Sequence, residues 1–192
     1  MVEERARRIV ETAMELAEQG GFEAVRLRDV ADQAGVALGT LYRRFRSKED
    51  LLVAALERET DELEQRILAR PPRGETPEER LTAFFAVGTR GLCRRPNLTR
   101  ALLRAMTSGD PEITGKVSIF HDRMTRLITT ALRGTDGGGE LGAPPSEREG
   151  QLALVLEHVW FSCLVGWSGG LHTQAGIVEL MRVAARMLAG GR

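Results

Sequence analysis

The chain has 192 residues, 42% of them hydrophobic and 28% charged, and its 27 basic and 27 acidic side chains cancel. That is enough chain for one domain or two small ones around a full core. The zero net charge excludes any argument for nucleic acid from overall charge, so such an argument has to come from local clustering. Two cysteines, Cys93 and Cys163, fit neither a disulfide framework nor a CxxC metal knuckle, and the protein reads as reduced, soluble and cytoplasmic.

The 3.6-residue period runs through nearly the whole sequence and strict alternation appears nowhere, which predicts an all-α fold of about nine helices. The opening MVEERARRIVETAMEL is too charged for a signal peptide. Its stripe of Ile9, Ala13, Leu16 and Ala17 predicts a first helix stopped by Gly20-Gly21. Val30, Ala31 and Ala34 predict a short second helix closed by Gly35, and a third is expected from Leu38 to Phe45. Ser47 reads as an N-cap, with Asp50 three residues on, for a long helix from Lys48 to about Ala69.

PPRGET (71–76) breaks the pattern as a linker or hinge. Thr76 with Glu79 then reads as a capping box opening a helix through LTAFFAVGTRGLC. Pro96 restarts the chain into a helix reaching about Ser108, and Pro111 to Leu132 forms another. GTDGGGELGAPP (134–145) is the clearest loop. Two last helices are expected over 146–167 and 173–188. The apolar run 152–167 is interrupted by Glu157 and His158 and is shorter than the roughly 20 apolar residues a bilayer requires, so no membrane partner is expected.

Two short helices split at Gly35 behind a longer one suggest a helix-turn-helix, whose third helix would enter a major groove. Leu41 and Phe45, four apart, can face a small core with Val30 and Phe22, leaving Gly39, Thr40, Tyr42, Arg43 and Arg44 outside. Between Arg26 and Lys48 stand six bases against two acids, an excess of four that the rest of the chain must balance. A basic reading head on an acidic body is one explanation; a solvated cationic face is the other.

The stretch LRDVADQAGVALGTLYRRFRSKEDLL (27–52) resembles the DNA-binding signature of the TetR family of bacterial transcriptional regulators. The resemblance extends back through GGFEAV into the first helix and covers about the first quarter of the chain. It implies an N-terminal helix-turn-helix domain over 1–50 and a helical ligand-binding and dimerisation domain over 51–192. It also implies that Arg28 reaches DNA, that Thr40 and Tyr42 bond phosphates or a base edge, that Lys48 holds a phosphate, and that Leu38, Gly39, Arg43 and Arg44 face the groove. Five positions depart from the family pattern. Arg26 stands where a Thr commonly caps the second helix, Ala37 replaces a common Ser, Leu38 occupies an often polar position, and Arg43-Arg44 is more basic than a common His-Tyr. The operator sequence is therefore not legible.

In the second domain, helix 146–167 is apolar nearly all round. One stripe carries Leu152, Leu156, Val159, Trp160, Cys163 and Trp167, the other Leu154, His158, Phe161 and Val165. Such a helix is expected to face its own core on one side and a second copy on the other. The dimer seam is predicted at Leu154, His158, Phe161 and Val165, with Ile177, Leu180, Met181 and Ala184 of the last helix, and the TetR resemblance implies the same homodimer. Phe84, Phe85, Gly88, Leu92, Met106, Phe120, Met124, Trp160, Cys163 and Trp167 offer large, adaptable apolar surface, and together they predict a pocket for a small hydrophobic effector. Gly88 and Gly91 inside a helix suggest that something approaches that face.

The longer match through LLVAAL, with RRPNLTRAL and VWFSCLVGW, resembles actinobacterial repressors of sterol and fatty-acid catabolism, which implies a lipid, steroid or acyl-coenzyme A effector. No GxSxG, HExxH or GxxxxGK[ST] motif is present, and His121, His158 and His172 are too scattered to propose a metal site. Neither catalysis nor a cofactor is expected. The reading is a homodimeric, effector-released repressor on an inverted-repeat DNA operator. The alternative is a helical lipid-binding or scavenging protein without specific operator binding.

Overall fold

The computed structural model describes residues 2–134 and 144–190. Nine helices occupy them: α1 Val2–Ala24, α2 Leu27–Gln33, α3 Leu38–Tyr42, α4 Lys48–Ala69, α5 Pro77–Cys93, α6 Pro96–Met106, α7 Pro111–Arg133, α8 Glu147–Ser168 and α9 Gln174–Ala189. No strand occurs among the described residues. Most of the segment expected as a loop, 135–143, lies outside them.

Several boundaries follow from local chemistry. α1 is interrupted where expected, since Gly20 and Gly21 leave helical geometry and Gly21 takes φ +70°. α2 ends in a Schellman motif: Gly35, at φ +64°, donates its N–H to Asp32 O at 3.2 Å, and Val36 donates to Ala31 O at 3.0 Å. Ser47 Oγ accepts from the Asp50 N–H at 3.1 Å at the start of α4. Thr76 and Glu79 form the expected capping box of α5. Two caps were not anticipated: a second capping box from Ser146 and Glu149 opens α8, and Thr173 caps α9. Glu149 also receives two guanidinium N–H groups of Arg133, each at 2.8 Å, and this pair holds its carboxyl down at about 2.

The third helix is shorter than predicted. It closes at Tyr42, and Arg43 and Arg44 lie in the turn that follows. Neither α2 nor α3 has a side-chain cap at Arg26 or Ala37, the two positions where the sequence lacks a hydroxyl.

The chain divides into two compact units that are discontinuous in sequence. One contains residues up to Thr60 together with Arg95–Ser118; the other contains Asp61–Arg94 and the residues from Ile119 onward. The division by contacts falls within α4 and within α7. In the first unit, Ile9, Ala13 and Ala17 of α1, Val30 and Ala31 of α2, Leu41, Phe45, and Leu51 and Leu52 of α4 are buried, as are Leu98, Ala101 and Leu102 of α6. α6 is tied to α1 by two hydrogen bonds: Asn97 Nδ2 donates to Glu18 O, and the Leu98 N–H donates to Glu18 Oε2, both at 2.9 Å. In the second unit α9 packs against α5 and α8. Phe84, Phe85, Leu81, Met124, Ile128, Leu156 and Ile177 are among its largest fully enclosed side chains. No helix among the described residues is long and apolar enough to cross a membrane.

Candidate nucleic-acid interface

α3 has a single buried residue, Leu41, which is inaccessible and anchors the helix with Phe45 and Val30. Around that anchor the other positions of the segment point outward. Tyr42 is 52% exposed; Gly39, Arg43 and Arg44 are exposed; Leu38 and Thr40 are half-buried. Nothing of the chain lies within 4 Å of where a Cβ at Gly39 would stand. The fold itself therefore does not require the missing side chain, and the backbone there is open to an external surface.

Thr40 Oγ1 accepts from Arg43 Nη2 at 3.1 Å, which leaves the hydroxyl hydrogen available for donation outward. Arg28 is exposed in the first turn of α2. Lys48 opens α4, with its ammonium on Glu23 Oε2 at 3.1 Å and 3.9 Å from the centroid of the Phe22 ring. One short segment, its bracing helix and the start of α4 thus carry Arg28, Leu38, Gly39, Thr40, Tyr42, Arg43, Arg44 and Lys48, all in the first unit.

Arg46, which the sequence left without a role, is bonded at both ends. Its guanidinium pairs with Glu112 at the start of α7, and its N–H donates to Asp50 Oδ2 at 3.0 Å. The buried Asp50 carboxylate also receives Lys116 of α7. These links hold the turn between α3 and α4. Sequence reasoning missed the two ion pairs because their partners lie 66 residues away.

The second unit sorts the apolar residues of α8 by side. Leu156, Trp160, Cys163 and Leu164 are buried, whereas Leu154, Val155 and Val165 are each about 45% exposed. His158 is also exposed and Phe161 half-buried. Leu154, Val155, His158, Val159, Ser162 and Cys163 line an open trough of about 530 Å³ on this outer side. On α9 the residues expected at a dimer seam divide. Leu180 is exposed and Ala184 half-buried, but Ile177 and Met181 are fully enclosed in the core of the second unit, so they offer no surface for such a seam. The exposed apolar residue missed on this helix is Met187.

The residues expected to form a pocket are distributed as follows. Phe84, Phe85, Gly88 and Leu92 lie on α5, Phe120 and Met124 on α7, and Trp160, Cys163 and Trp167 on α8; Met106 belongs to the other unit. Phe84 and Phe85 meet edge to face at 5.2 Å, and Phe85 lies 5.5 Å from Trp160. The Trp160 ring also stands 2.9 Å from the position of a Cβ at Gly88, and Arg66 Nη1 stands 2.8 Å from that at Gly91. The groups approaching these two glycines are therefore the protein's own side chains. Burial pushes the Cys163 thiol up from its usual value.

One polar cluster in this unit was not anticipated. Glu157 is buried, and its Oε1 lies 2.6 Å from His121 Nδ1, while its Oε2 has no partner. The His121 ring in turn stacks on His158, with centroids 5.7 Å apart and planes 9° from parallel. The hydrogen bond to Glu157 raises the His121 pKa above 6.5, against the opposing effect of burial. The only sequence signal was an acid inside an apolar run.

The sequence profile described as "Bacterial regulatory proteins, tetR family" matches residues 9–55, and that described as "Tetracyclin repressor-like, C-terminal domain" matches residues 74–188. The chain belongs to the TetR family. TetR relatives include the HTH-type transcriptional repressor KstR of Rhodococcus jostii, 35% identical over 97% of this chain and 84% of that one. KstR of Mycobacterium tuberculosis is 35% identical over 97% and 81%. Among solved structures, a TetR transcriptional regulator from Rhodococcus sp. RHA1 superposes with a TM-score of 0.81 at 27% identity, covering 97% of this chain and 95% of that one. A Syntrophomonas wolfei regulator of the same family, at 19% identity and a TM-score of 0.73, shares the fold. The protein is a DNA-binding transcriptional regulator of this family, and its relatives are regulators and not enzymes.

Proposed function

We propose that this TetR-family regulator is a homodimeric repressor that binds an inverted-repeat operator and is released by a small hydrophobic effector. The observation that carries the reading is the division of labour in α3: one enclosed anchor, Leu41, beside outward Thr40 and Tyr42 and the two arginines that follow. In this reading Thr40, Tyr42 and Lys48 hold phosphates and fix register, and Arg28, Leu38, Gly39, Arg43 and Arg44 face the groove.

The second copy is expected on the outer side of α8 and α9, where Leu154, Phe161, Val165, Leu180 and Ala184 would join two subunits into a four-helix bundle. A two-fold dimer would present its α3 helices to half-sites roughly 34 Å, or a multiple of that, apart. Resemblance to the KstR repressors and the aromatic interior of the second unit favour an apolar effector of lipid, steroid or acyl-coenzyme A type. Such an effector lowers operator affinity only by its preference for the DNA-incompetent state.

The test is a salt-dependent gel shift on inverted repeats upstream of the protein's own gene and its neighbours. Specific binding that is lost on adding the small molecules retained by the purified protein supports the reading. Equal affinity for repeat and random duplexes would replace it with a lipid-binding protein lacking an operator.

A further inference from the structure

Glu23 holds two cations at once. Its Oε2 accepts from Lys48 Nζ at 3.1 Å and its Oε1 pairs with Arg104 Nη1 at 2.9 Å. Both cations also lie against one ring: the Lys48 ammonium is 3.9 Å, and the Arg104 guanidinium carbon 4.1 Å, from the Phe22 centroid. Sharing one carboxylate and one ring, the two positive centres stand near enough to serve the same stretch of a DNA backbone.

Arg104 comes from far along the sequence, in the last turn of α6, yet α6 is part of the same compact unit as the helix-turn-helix. The bonds of Asn97 and Leu98 to Glu18 fix it against α1. Neither Arg104 nor Glu23 falls among the residues the sequence pointed to as DNA contacts.

A carboxylate and a phosphodiester present the same recognition element, a pair of anionic oxygens that accept from guanidinium and ammonium groups. Arg104 and Glu23 are both mostly exposed, so their pairing is weak and exchangeable. A DNA strand supplies a dense row of phosphates in place of one carboxylate, and each neutralised phosphate releases counterions. Hydrogen bonding to Lys48, with a smaller effect of Arg104, holds the Glu23 carboxyl below its usual range, so it is anionic at neutral pH.

We propose that Arg104 and Lys48 form a phosphate clamp on the operator backbone, and that Glu23 fills this clamp in the DNA-free protein and is displaced on binding. The inference rests on reading Lys48 as a phosphate contact. Once displaced, Glu23 remains a like charge beside the phosphate and holds affinity down.

The test uses full-length protein and fluorescence anisotropy, on an operator duplex and on a random duplex of equal length, across a series of KCl concentrations. Arg104→Ala is expected to weaken both duplexes by about 3- to 10-fold and to reduce the slope of log affinity against log salt by about one. Arg104→Lys keeps the slope. Glu23→Gln strengthens both duplexes by about 2- to 5-fold. An unchanged slope for Arg104→Ala overturns the clamp. So does a Glu23→Gln that weakens binding, because a purely structural role for the Glu23–Arg104 pair predicts loss from both variants. Lys48→Ala separates the two levels: if it flattens the slope and Arg104→Ala does not, only the clamp fails, and if neither does, the Lys48 reading fails with it.

Discussion

The Trp160 indole N–H donates to Thr89 Oγ1 across 2.9 Å, joining α8 to α5 through two buried groups. The same ring fills the space where a side chain at Gly88 would stand. This part of the second unit is therefore packed around one indole. Thr89→Val is expected to strand the N–H and cost about 1–3 kcal/mol. Gly88→Ala pushes a methyl into a rigid ring and costs a similar amount, about 1–3 kcal/mol. Urea unfolding at fixed protein concentration measures both, and wild-type midpoints would refute the packing argument.

The His121–Glu157 pair makes stability depend on pH with a definite sign. The folded state raises the His121 pKa above 6.5, so the pair's contribution is complete below that value and fades as pH rises through the raised pKa. His121→Phe leaves a buried carboxylate with neither oxygen partnered and is expected to cost about 3–5 kcal/mol, whereas adding Glu157→Leu recovers most of that loss. Unfolding measured from pH 5 to 9 checks both points. A double variant no more stable than His121→Phe would show that the carboxylate is not the origin of the cost.

Tyr42→Phe and Lys48→Ala are expected to weaken binding to every duplex alike, since phosphate contacts carry no sequence information. Lys48→Ala additionally lowers the salt slope by about one. Titrations with operator and random DNA report both, and selective loss on the operator alone would reassign these residues to base reading.

Val165 is 45% exposed on the outer side of α8, so a charge there leaves the subunit's core intact. Val165→Glu in a two-fold seam places like charges near one another. It is expected to yield a folded monomer by analytical ultracentrifugation, with operator affinity down by at least about 100-fold, since one half-site of contacts is lost. A Val165→Glu dimer of wild-type affinity would move the seam elsewhere.

The helices were legible because their punctuation is local. Gly20-Gly21, Gly35, Ser47 and the Thr76–Glu79 box each act within a few residues, and the structure uses all of them. The third helix was overextended because Phe45 sits four residues from Leu41 and is buried with it, though it follows a turn and not a helix. Periodicity could say that α8 had two apolar sides, but not which side was inward; the burial of Leu156 and the contacts of Trp160 with α5 settle that. Ile177 and Met181 carry the same apolar signal whether they meet their own core or a second subunit. The ion-pair partners of Arg46, Glu157 and Arg104 were illegible for one reason: each is on a helix distant in sequence, and charge pairing across such a separation leaves no spacing rule to read.

The attachment of α6 to α1 limits how this protein can be taken apart. A graft that joins the first 50 or 60 residues to another effector module would carry the recognition segment but leave behind Leu98, Ala101 and Leu102, which complete the core under it, and Lys116 and Glu112, which brace the turn after α3. A transplantable head is two pieces of chain, and a chimera that respects this must exchange the stretch around 95–118 along with the amino-terminal one.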